Sequence, residues 1–585
     1  MSGAVDNAAA YRLGRGVAIP MRDGVALSAD VWTPEGEGPW PTLLQRLPYD
    51  RSNSFQAQHI AALEVVRAVD AGFAVVLQDT RGRYASGGSF APFVHEAPDG
   101  EDTIAWLREQ PFCDGTVGMY GASYNGATQL LAASRAPRGL RAIAPQLTGA
   151  DYRDGWTYRG GALQLGFVLL WIVESLAPPD VARMEPGPER AAAERALAEL
   201  QADPAAAFAR LPLASPDLTL LAPYAAEWLR GPAPSRYWEE ISPASRYGAF
   251  DVATLHVAGW HDIFLEGSLR NYVGLRSGAA TAWARDHQHL VIGPWSHGNP
   301  SDWQGDRWHG YAGAIGALDP TAMQLELFAA ALAGRPPELP RVRLFTTGVD
   351  RWREEDEWPL ARARERVLHL RSDGDAASAG GTLADAPPSG AEPPDRWISD
   401  PLDPVPSAGG ATFLPGPLLG RNSGPKRQEA IEARADVLTY TSAPLPADLE
   451  VTGEVALELH AASSATDCDW TARLVDVEPD GAAYGIVDGI LRARWRHGWE
   501  RPVALEPDRP ELFRVVLGTI SHVFRAGHRL RLQVASSNFP RFDRNPQQLV
   551  AVERATRADF RVARQTVLHT AERPSRLLLP VVECR

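Results

Sequence analysis

The sequence has a single lysine, Lys426, and three cysteines among its 585 residues. Cys113, Cys468 and Cys584 are an odd number spread over the whole chain, without the close spacing of a zinc site or a redox pair. We therefore expect reduced thiols and no metal. The 58 basic residues are outnumbered by 72 acidic ones, for a net charge of −14, which disfavours nucleic acid as a partner because its binding depends on phosphate neutralisation.

Long hydrophobic runs are also lacking. The most apolar stretch, Leu165 to Val173, has about half the length that a bilayer requires, and it predicts a buried helix. The first residues show neither the basic segment nor the apolar segment of a secretory signal. These features predict a cytoplasmic protein that does not bind membranes, and a homodimer is compatible with them.

The composition that remains is typical of a folded protein. Hydrophobic residues make up 45% of the chain and charged residues 22%, which excludes a largely disordered, collagen-like or coiled-coil chain. At roughly 150 residues per domain, the length allows about three or four folding units. The chain is therefore long enough for several sizeable cores.

Changes in hydrophobic periodicity suggest four segments. Over residues 1–145, short apolar runs such as Phe73 to Leu77 alternate with helical patterns, which predicts a parallel sheet flanked by helices. Residues 146–245 are rich in alanine and helical in pattern, and they predict a cap inserted into the sheet, which resumes over 246–350. In residues 351–585 period-2 alternation, as in Arg529 to Val534, predicts a separate β domain of the sandwich or jelly-roll type.

One short motif points to nucleophilic chemistry. The segment Gly121-Ala-Ser123-Tyr-Asn-Gly126 lies between a predicted strand and a predicted helix, the context of a nucleophile elbow. A tight turn there lifts the serine oxygen clear of the backbone, and the helix N-terminus favours developing negative charge. The glycine follows Ser123 by three residues rather than the usual two, so a glycine-rich turn that merely contains a serine remains an alternative.

A serine nucleophile needs a base and a group that orients the base. Asp262 follows a predicted strand in Gly259-Trp-His-Asp262, and His297 follows the next strand in Pro294-Trp-Ser-His297. The order Ser, Asp, His along the chain is that of α/β-hydrolases. We therefore predict an α/β-hydrolase core in which these three residues stand at strand ends.

The motifs together resemble the CocE/NonD family of hydrolases, which includes cocaine esterase and relatives of the Xaa-Pro dipeptidyl-peptidases and α-amino acid ester hydrolases. The elbow Gly-x-Ser-Tyr-x-Gly is itself a trait of that family. The resemblance extends from about residue 15 into the C-terminal region, and the further matching segments are Arg46 to Asp50, Gln78 to Gly82, Gly259 to Asp262, Gly293 to His297, Arg351 to Arg353 and Asn538 to Phe542.

The resemblance implies roles for eight residues. Ser123 is the nucleophile, His297 the general base and acid, and Asp262 the residue that orients the imidazole. Tyr49 and the backbone N–H of Tyr124 form the oxyanion hole. Aromatic side chains line the acyl pocket, and these are Trp156, Trp171 and Phe264. No cofactor is implied.

This reading predicts a serine esterase that cleaves small esters with apolar or aromatic acyl groups through an acyl-enzyme. One alternative is an Xaa-Pro dipeptidyl-peptidase or an α-amino acid ester hydrolase or acylase. An enzyme that recognises an amine needs a carboxylate, for which Glu266, Asp151 and Asp154 are candidates. An alternative of another class is a non-catalytic protein whose jelly roll binds carbohydrate.

Overall fold

The computed structural model describes residues 11–53, 63–414 and 422–583. Within these ranges Cys113 and Cys468 are buried free thiols. Cys584 lies outside the described residues.

The first part of the chain is built on a mixed sheet. The strands of this part are β1 (Tyr11–Pro20), β2 (Ala26–Pro34), β3 (Trp40–Leu47), β4 (Ala74–Asp79), β5 (Cys113–Ala122), β6 (Leu140–Gln146), β7 (Tyr158–Arg159), β8 (Ala162–Leu163), β9 (Ala253–His261), β10 (Gln288–Ser296), β11 (Trp303–Gln304), β12 (Arg307–Trp308), β13 (Val342–Thr346) and β14 (Arg351–Glu355). Ten of them form one sheet in the order β1-β2-β4-β3-β5-β6-β9-β10-β13-β14, and β7–β8 and β11–β12 are two-stranded hairpins.

The middle of this sheet is parallel from β4 to β13, and antiparallel pairs form both ends. Strands β4 and β9 are buried along their whole length, as expected for strands covered by helices on both faces. The covering helices are α1 (Val65–Asp70), α2 (Glu96–Leu107) and α3 (Tyr124–Ala133), and later in the chain a helix at Leu265–Gly278, one at Ala282–Asp286 and one at Pro320–Leu332. This is the predicted α/β-hydrolase core.

Between β6 and β9 the chain forms the helical cap. Its helices are α4 (Leu165–Trp171), a π-helix (Ile172–Leu176), α5 (Ala177–Arg183), α6 (Pro188–Ala202), α7 (Pro204–Ala209), α8 (Pro216–Leu221), α9 (Ala225–Leu229) and α10 (Arg236–Ile241). The three later helices of the core, named above, are α11, α12 and α13. Apolar side chains of the cap pack with aromatic residues of the core in one continuous cluster.

The apolar run at the start of the cap is a buried helix, as expected, but it is longer than predicted. Helical structure continues from Leu165 to Arg183, long and apolar enough by composition to cross a membrane, and 67% of its most apolar window is buried inside the protein. Pro178 and Pro179 lie within this helical segment and lack the N–H groups that would bond the preceding turn. Side chains donate to carbonyls of that turn instead: the Gln201 amide to Val173 at 3.1 Å and the Arg83 guanidinium to Ser175 at 3.4 Å.

The C-terminal part is the predicted β domain. Its strands are β15 (Arg364–Arg371), β16 (Gly381–Ala384), β17 (Asp395–Ser399), β18 (Leu438–Ser442), β19 (Leu449–Ser463), β20 (Asp469–Val477), β21 (Ala483–Arg492), β22 (Glu511–Phe524), β23 (Arg529–Ala535), β24 (Ala563–Leu568) and β25 (Arg576–Val582), with one short helix, α14 (Glu429–Glu432). All eleven strands belong to one hydrogen-bonded system, which encloses one large apolar core and smaller apolar clusters.

The β domain begins later in the chain than the boundary predicted at residue 351. Strand β14 pairs antiparallel with β13, so Arg351–Glu355 completes the hydrolase sheet instead of opening the β domain. The short period-2 pattern of an antiparallel edge strand is the same in both settings, which is why the sequence pattern did not separate them.

Candidate active site

Ser123 stands at the turn between β5 and α3, at the carboxyl end of a parallel strand. Its backbone has φ +59°, in the left-handed region that side chains rarely adopt, as in a strained strand-to-helix elbow. The turn is held by two hydrogen bonds, from the Ser123 N–H to the Gln146 carbonyl at 2.9 Å and from the Thr148 hydroxyl to the Ser123 carbonyl at 2.8 Å. The nucleophile candidate is therefore fixed by its neighbours.

The unusual glycine spacing of the elbow has a steric reason. A Cβ on Gly126 would lie 2.8 Å from the Cβ of Thr148, the residue that bonds the Ser123 carbonyl. A Cβ on Gly121, where φ is +130°, would lie 2.6 Å from the Cβ of Asn125. Glycine is thus required at position 126, where helix α3 packs against Thr148 in the loop after β6. Position 125 accommodates a side chain.

His297 and Asp262 lie beside the serine. The Nε2 atom of His297 is 3.0 Å from the Ser123 Oγ, and its Nδ1 atom is 2.7 Å from the Asp262 Oδ2. Asp262 is 1% exposed, and its second oxygen accepts a hydrogen bond from the Phe264 N–H at 2.6 Å. Because Asp262 follows β9 and His297 follows β10, the parallel sheet brings the three residues together at one edge. Their contacts are those of a nucleophile, a base and an orienting group.

Tyr49 and Tyr124 lie next to this group. Tyr49 follows β3, and its ring meets the ring of Tyr124 edge-on, with centroids 6.4 Å apart. Tyr124 is the first residue of α3, so its backbone N–H has no partner within the helix. The Tyr49 hydroxyl accepts a hydrogen bond from the indole Nε1 of Trp171 at 2.9 Å. Burial raises the pKa of Tyr49, so its hydroxyl keeps its proton.

The three predicted pocket aromatics contact one another in a row, and Phe264 at its end contacts the histidine. Phe264 stacks on Trp156 with centroids 3.9 Å apart, and its ring stands edge-on to the imidazole of His297 at 4.9 Å. Trp156 also contacts Trp171 at 5.5 Å. All three aromatic residues are buried. These contacts place an apolar ring directly against the imidazole of the candidate triad.

Sequence reasoning missed two features of the site. Phe413 lies between β17 and β18 of the β domain. The centroid of its ring is 5.5 Å from that of the His297 imidazole and 6.0 Å from that of the Phe167 ring. The buried guanidinium of Arg46 pairs with Glu96, which accepts a 2.9 Å hydrogen bond from the Tyr124 hydroxyl. An arginine within the apolar run of β3 was the only available signal for that pair.

The three carboxylates considered for binding a substrate ammonium group either bond to other protein groups or lie away from Ser123 and His297. Glu266 accepts hydrogen bonds from the backbone N–H and the hydroxyl of Thr519 in the β domain, at 2.8 and 2.9 Å. Asp151 accepts from the backbone N–H of Arg153 at 2.9 Å. Asp154 and Glu266 line a separate cavity of about 310 Å³ between the core and the β domain, whose lining includes neither Ser123 nor His297.

The fold and this arrangement define a serine hydrolase of the α/β-hydrolase class with an appended β domain. Comparison with known proteins then places the chain in a family. Residues 23–299 match the X-Pro dipeptidyl-peptidase (S15 family) model, and residues 337–578 match the model of the X-Pro dipeptidyl-peptidase C-terminal non-catalytic domain. The chain belongs to this family, and within it to the branch of cocaine esterase and the CocE/NonD hydrolases.

Individual relatives span nearly the whole chain. Cocaine esterase from Rhodococcus sp. is 39% identical over 98% of this chain and 99% of its own. Among solved structures, an aminopeptidase from a marine sediment Thaumarchaeota archaeon is 25% identical with a TM-score of 0.80, covering 98% of this chain and 97% of its own. An α-amino acid ester hydrolase is 26% identical with a TM-score of 0.78, covering 99% and 98%. The predicted family and fold are thus confirmed.

Proposed function

We propose that the protein is a carboxylic ester hydrolase in which Ser123, His297 and Asp262 act as a catalytic triad. The observation that carries the proposal is the unbroken chain of contacts from the Ser123 Oγ through both ring nitrogens of His297 to the buried carboxylate of Asp262. The 39% identity to cocaine esterase over nearly the whole chain supports an ester as the substrate. A non-catalytic protein would have no need for this geometry.

In this mechanism the Ser123 Oγ attacks the ester carbonyl while His297 Nε2 takes its proton. Asp262 holds the ring with Nδ1 protonated and stabilises the imidazolium that forms. Negative charge develops on the carbonyl oxygen, which the hydroxyl of Tyr49 and the N–H of Tyr124 stabilise by hydrogen bonds. The imidazolium then protonates the departing alcohol, leaving an acyl group on Ser123. Water, deprotonated by His297, attacks the acyl-enzyme, and the imidazolium returns this proton to the Ser123 Oγ as the acid is released.

The acyl pocket supports a preference within the ester class. Phe264 and Phe413 contact the imidazole. Behind Phe264, Trp156 stacks on its ring and contacts Trp171, so the imidazole side of the site is apolar. Such walls gain from burying an aryl or bulky apolar acyl group and offer no counter-charge to an ammonium group. We therefore infer a preference for aromatic acyl groups. A cytoplasmic location and a homodimer stay predictions.

A fluorophosphonate probe tests the central claim. The probe should label the wild-type protein at Ser123 and abolish hydrolysis of an aryl ester such as p-nitrophenyl benzoate. The variant Ser123→Ala should neither react nor hydrolyse the ester, while its thermal unfolding matches that of the wild type. Labelling of another residue, or ester turnover by Ser123→Ala close to wild type, would refute the proposal.

A further inference from the structure

The indole of Trp171 does more than line the pocket. Its Nε1–H donates a 2.9 Å hydrogen bond to the hydroxyl oxygen of Tyr49, and this bond joins the cap to the loop after β3. A phenol can both donate and accept, whereas an indole N–H can only donate. Because Trp171 occupies an acceptor position of the Tyr49 oxygen, the proton of Tyr49 must point towards a different partner.

The Trp171 ring is itself firmly held. It stacks on Trp228 with centroids 5.5 Å apart and planes inclined by 3°, and on Phe167 at 5.6 Å and 11°. The Nε1 of Trp228 in turn donates to the Tyr237 hydroxyl at 2.7 Å. With two stacked aromatic partners and 4% exposure, Trp171 has little freedom to rotate. The direction of its N–H is therefore fixed by packing.

The backbone around Trp171 is also unusual. Helix α4 ends at Trp171, and the next five residues, Ile172–Leu176, form a π-helix before the α-helix resumes. π-helices are rare, occur mostly as single turns within α-helices, and are frequently found at functional sites. The break falls directly after the residue that contacts Tyr49. An uninterrupted α-helix would give a different relation between Trp171 and the rest of the cap.

We propose that Trp171 is the positioning residue of the oxyanion hole: its indole N–H holds the Tyr49 hydroxyl so that the tyrosine proton points at the developing oxyanion. The inference rests on the proposed function, specifically on the role of Tyr49. It explains why a pocket residue from the cap is tied to a residue of the core.

The hydrogen bond also changes the donor strength of Tyr49. Burial raises the pKa of the Tyr49 hydroxyl, and the bond from Trp171 acts in the opposite direction because it favours the phenolate. An oxygen that accepts a hydrogen bond donates its own proton more strongly. The effect is largest when charge develops on the ester oxygen, so it favours the transition state over the bound substrate.

A double-mutant cycle tests the inference. Trp171→Phe is made in the wild type and in Tyr49→Phe, and the acylation rate is measured with p-nitrophenyl benzoate under pre-steady-state conditions at saturating ester. In the presence of Tyr49, Trp171→Phe should lower the acylation rate about 3- to 10-fold, as expected for one neutral hydrogen bond. In the Tyr49→Phe background the same change should have no effect on the rate. An equal fall in both backgrounds would assign Trp171 to packing alone.

Trp228→Phe is the matched control. It makes the same change from indole to phenyl one ring away, but the lost N–H bonds Tyr237 instead of Tyr49. Its effect on acylation should be the same whether residue 49 is tyrosine or phenylalanine. A dependence on residue 49 as large as that of Trp171→Phe would overturn the inference, because the coupling would then come from ring packing.

Two further results complete the test. If Tyr49→Phe alone acylates as fast as the wild type, Tyr49 is not an oxyanion donor and the inference about Trp171 is refuted with it. This result differs from an equal loss of rate in both backgrounds, which would refute only the role of Trp171. If Trp171→Phe does not fold, benzothienylalanine at position 171 keeps the shape of the indole and replaces its N–H by sulfur. That variant should show the same loss and the same dependence on Tyr49; an unchanged acylation rate would contradict the inference.

Discussion

Glu266 and Thr519 join the hydrolase core to the β domain. Both oxygens of the Glu266 carboxylate are used, one by the Thr519 N–H at 2.8 Å and the other by its hydroxyl at 2.9 Å. Glu266 stands in the first turn of α11, four residues after Asp262, and was the carboxylate nearest in sequence to the triad candidates. Its engagement with the β domain removes it as a partner for a substrate ammonium group.

The engagement of Glu266 with Thr519 leads to a prediction about which substrates are hydrolysed most efficiently. Benzoyl esters should be hydrolysed with higher kcat/KM than esters of free amino acids, because apolar rings surround the site and no free carboxylate of the sequence candidates faces it. A panel of aryl esters, amino acid esters and Xaa-Pro anilides measures this directly. Glu266→Gln should leave the ratio between the ester classes unchanged. A strict requirement for a free α-amino group would instead favour the amino ester hydrolase branch.

A second prediction concerns the Tyr49 hydroxyl. Tyr49→Phe removes one oxyanion donor while the ring keeps its edge-on contact with Tyr124. It also leaves the buried Trp171 N–H without its acceptor, so the variant should lose about 1–3 kcal/mol of stability but still fold. The loss of a preorganised donor typically lowers kcat by about 10²- to 10³-fold. KM should change far less, since the bond strengthens as charge develops in the transition state. The measurement is kcat and KM on an ester whose acylation limits the rate. If Tyr49→Phe keeps most of the wild-type kcat, the hydroxyl is not an oxyanion donor and Tyr49 has only a packing role.

Local patterns singled out the three residues that the structure brings together at the candidate site. Ser123, Asp262 and His297 each follow a strand whose apolar run can be read from a few residues, and a parallel sheet aligns such ends at one edge. Trp156 and Phe264 were candidates because the family resemblance matches them to aromatic residues of the acyl pocket. The structure places Phe264 against the histidine and stacks Trp156 on Phe264.

Contacts between distant segments could not be predicted in this way. Phe413 reaches His297 across more than one hundred residues of sequence, and no periodicity identifies such a contact. The bond between Trp171 and Tyr49 depends on how the cap is seated on the core, which follows from packing of the whole aromatic cluster. The edge strand β14 was assigned to the wrong sheet for a related reason: its pattern fits either partner.

A third prediction concerns the buried carboxyl group of Asp154 and its raised pKa. Burial, with a smaller effect of Asp151, raises the pKa of Asp154 from 3.8 to about 6. A carboxyl whose pKa is raised by folding destabilises the protein once it ionises, so the wild type loses stability as the pH rises through about 4 to 6. Asp154→Asn should therefore raise the unfolding temperature at pH 8 and have little effect near pH 4. Thermal melts at both pH values check the sign; a lower melting temperature at pH 8 would contradict it.

The last prediction concerns a buried histidine in the β domain. His569, which follows β24, has a carboxylate at each ring nitrogen: Nε2 lies 3.0 Å from Asp395 Oδ2 and Nδ1 lies 3.1 Å from Glu392 Oε2. Asp395 also accepts a hydrogen bond from the Tyr440 hydroxyl at 2.8 Å, and Arg371 binds Glu392. Burial alone would lower the pKa of His569, but the two carboxylates prevail and raise it above 6.5. The imidazolium is thus the stabilised form.

Because folding raises this pKa, the stabilisation by His569 is fully present below pH 6.5, the ordinary pKa of histidine, and is lost as the pH rises through the folded-state value. His569→Gln should lower the unfolding temperature most at about pH 5 to 6, and the difference from the wild type should shrink towards pH 9. His460→Gln is a control of opposite sign, since burial and two arginines lower the pKa of His460 and its charging opposes folding. Its stability relative to the wild type should increase as the pH falls. A constant deficit of His569→Gln across this range would show that His569 stabilises the β domain by packing and not by its charge.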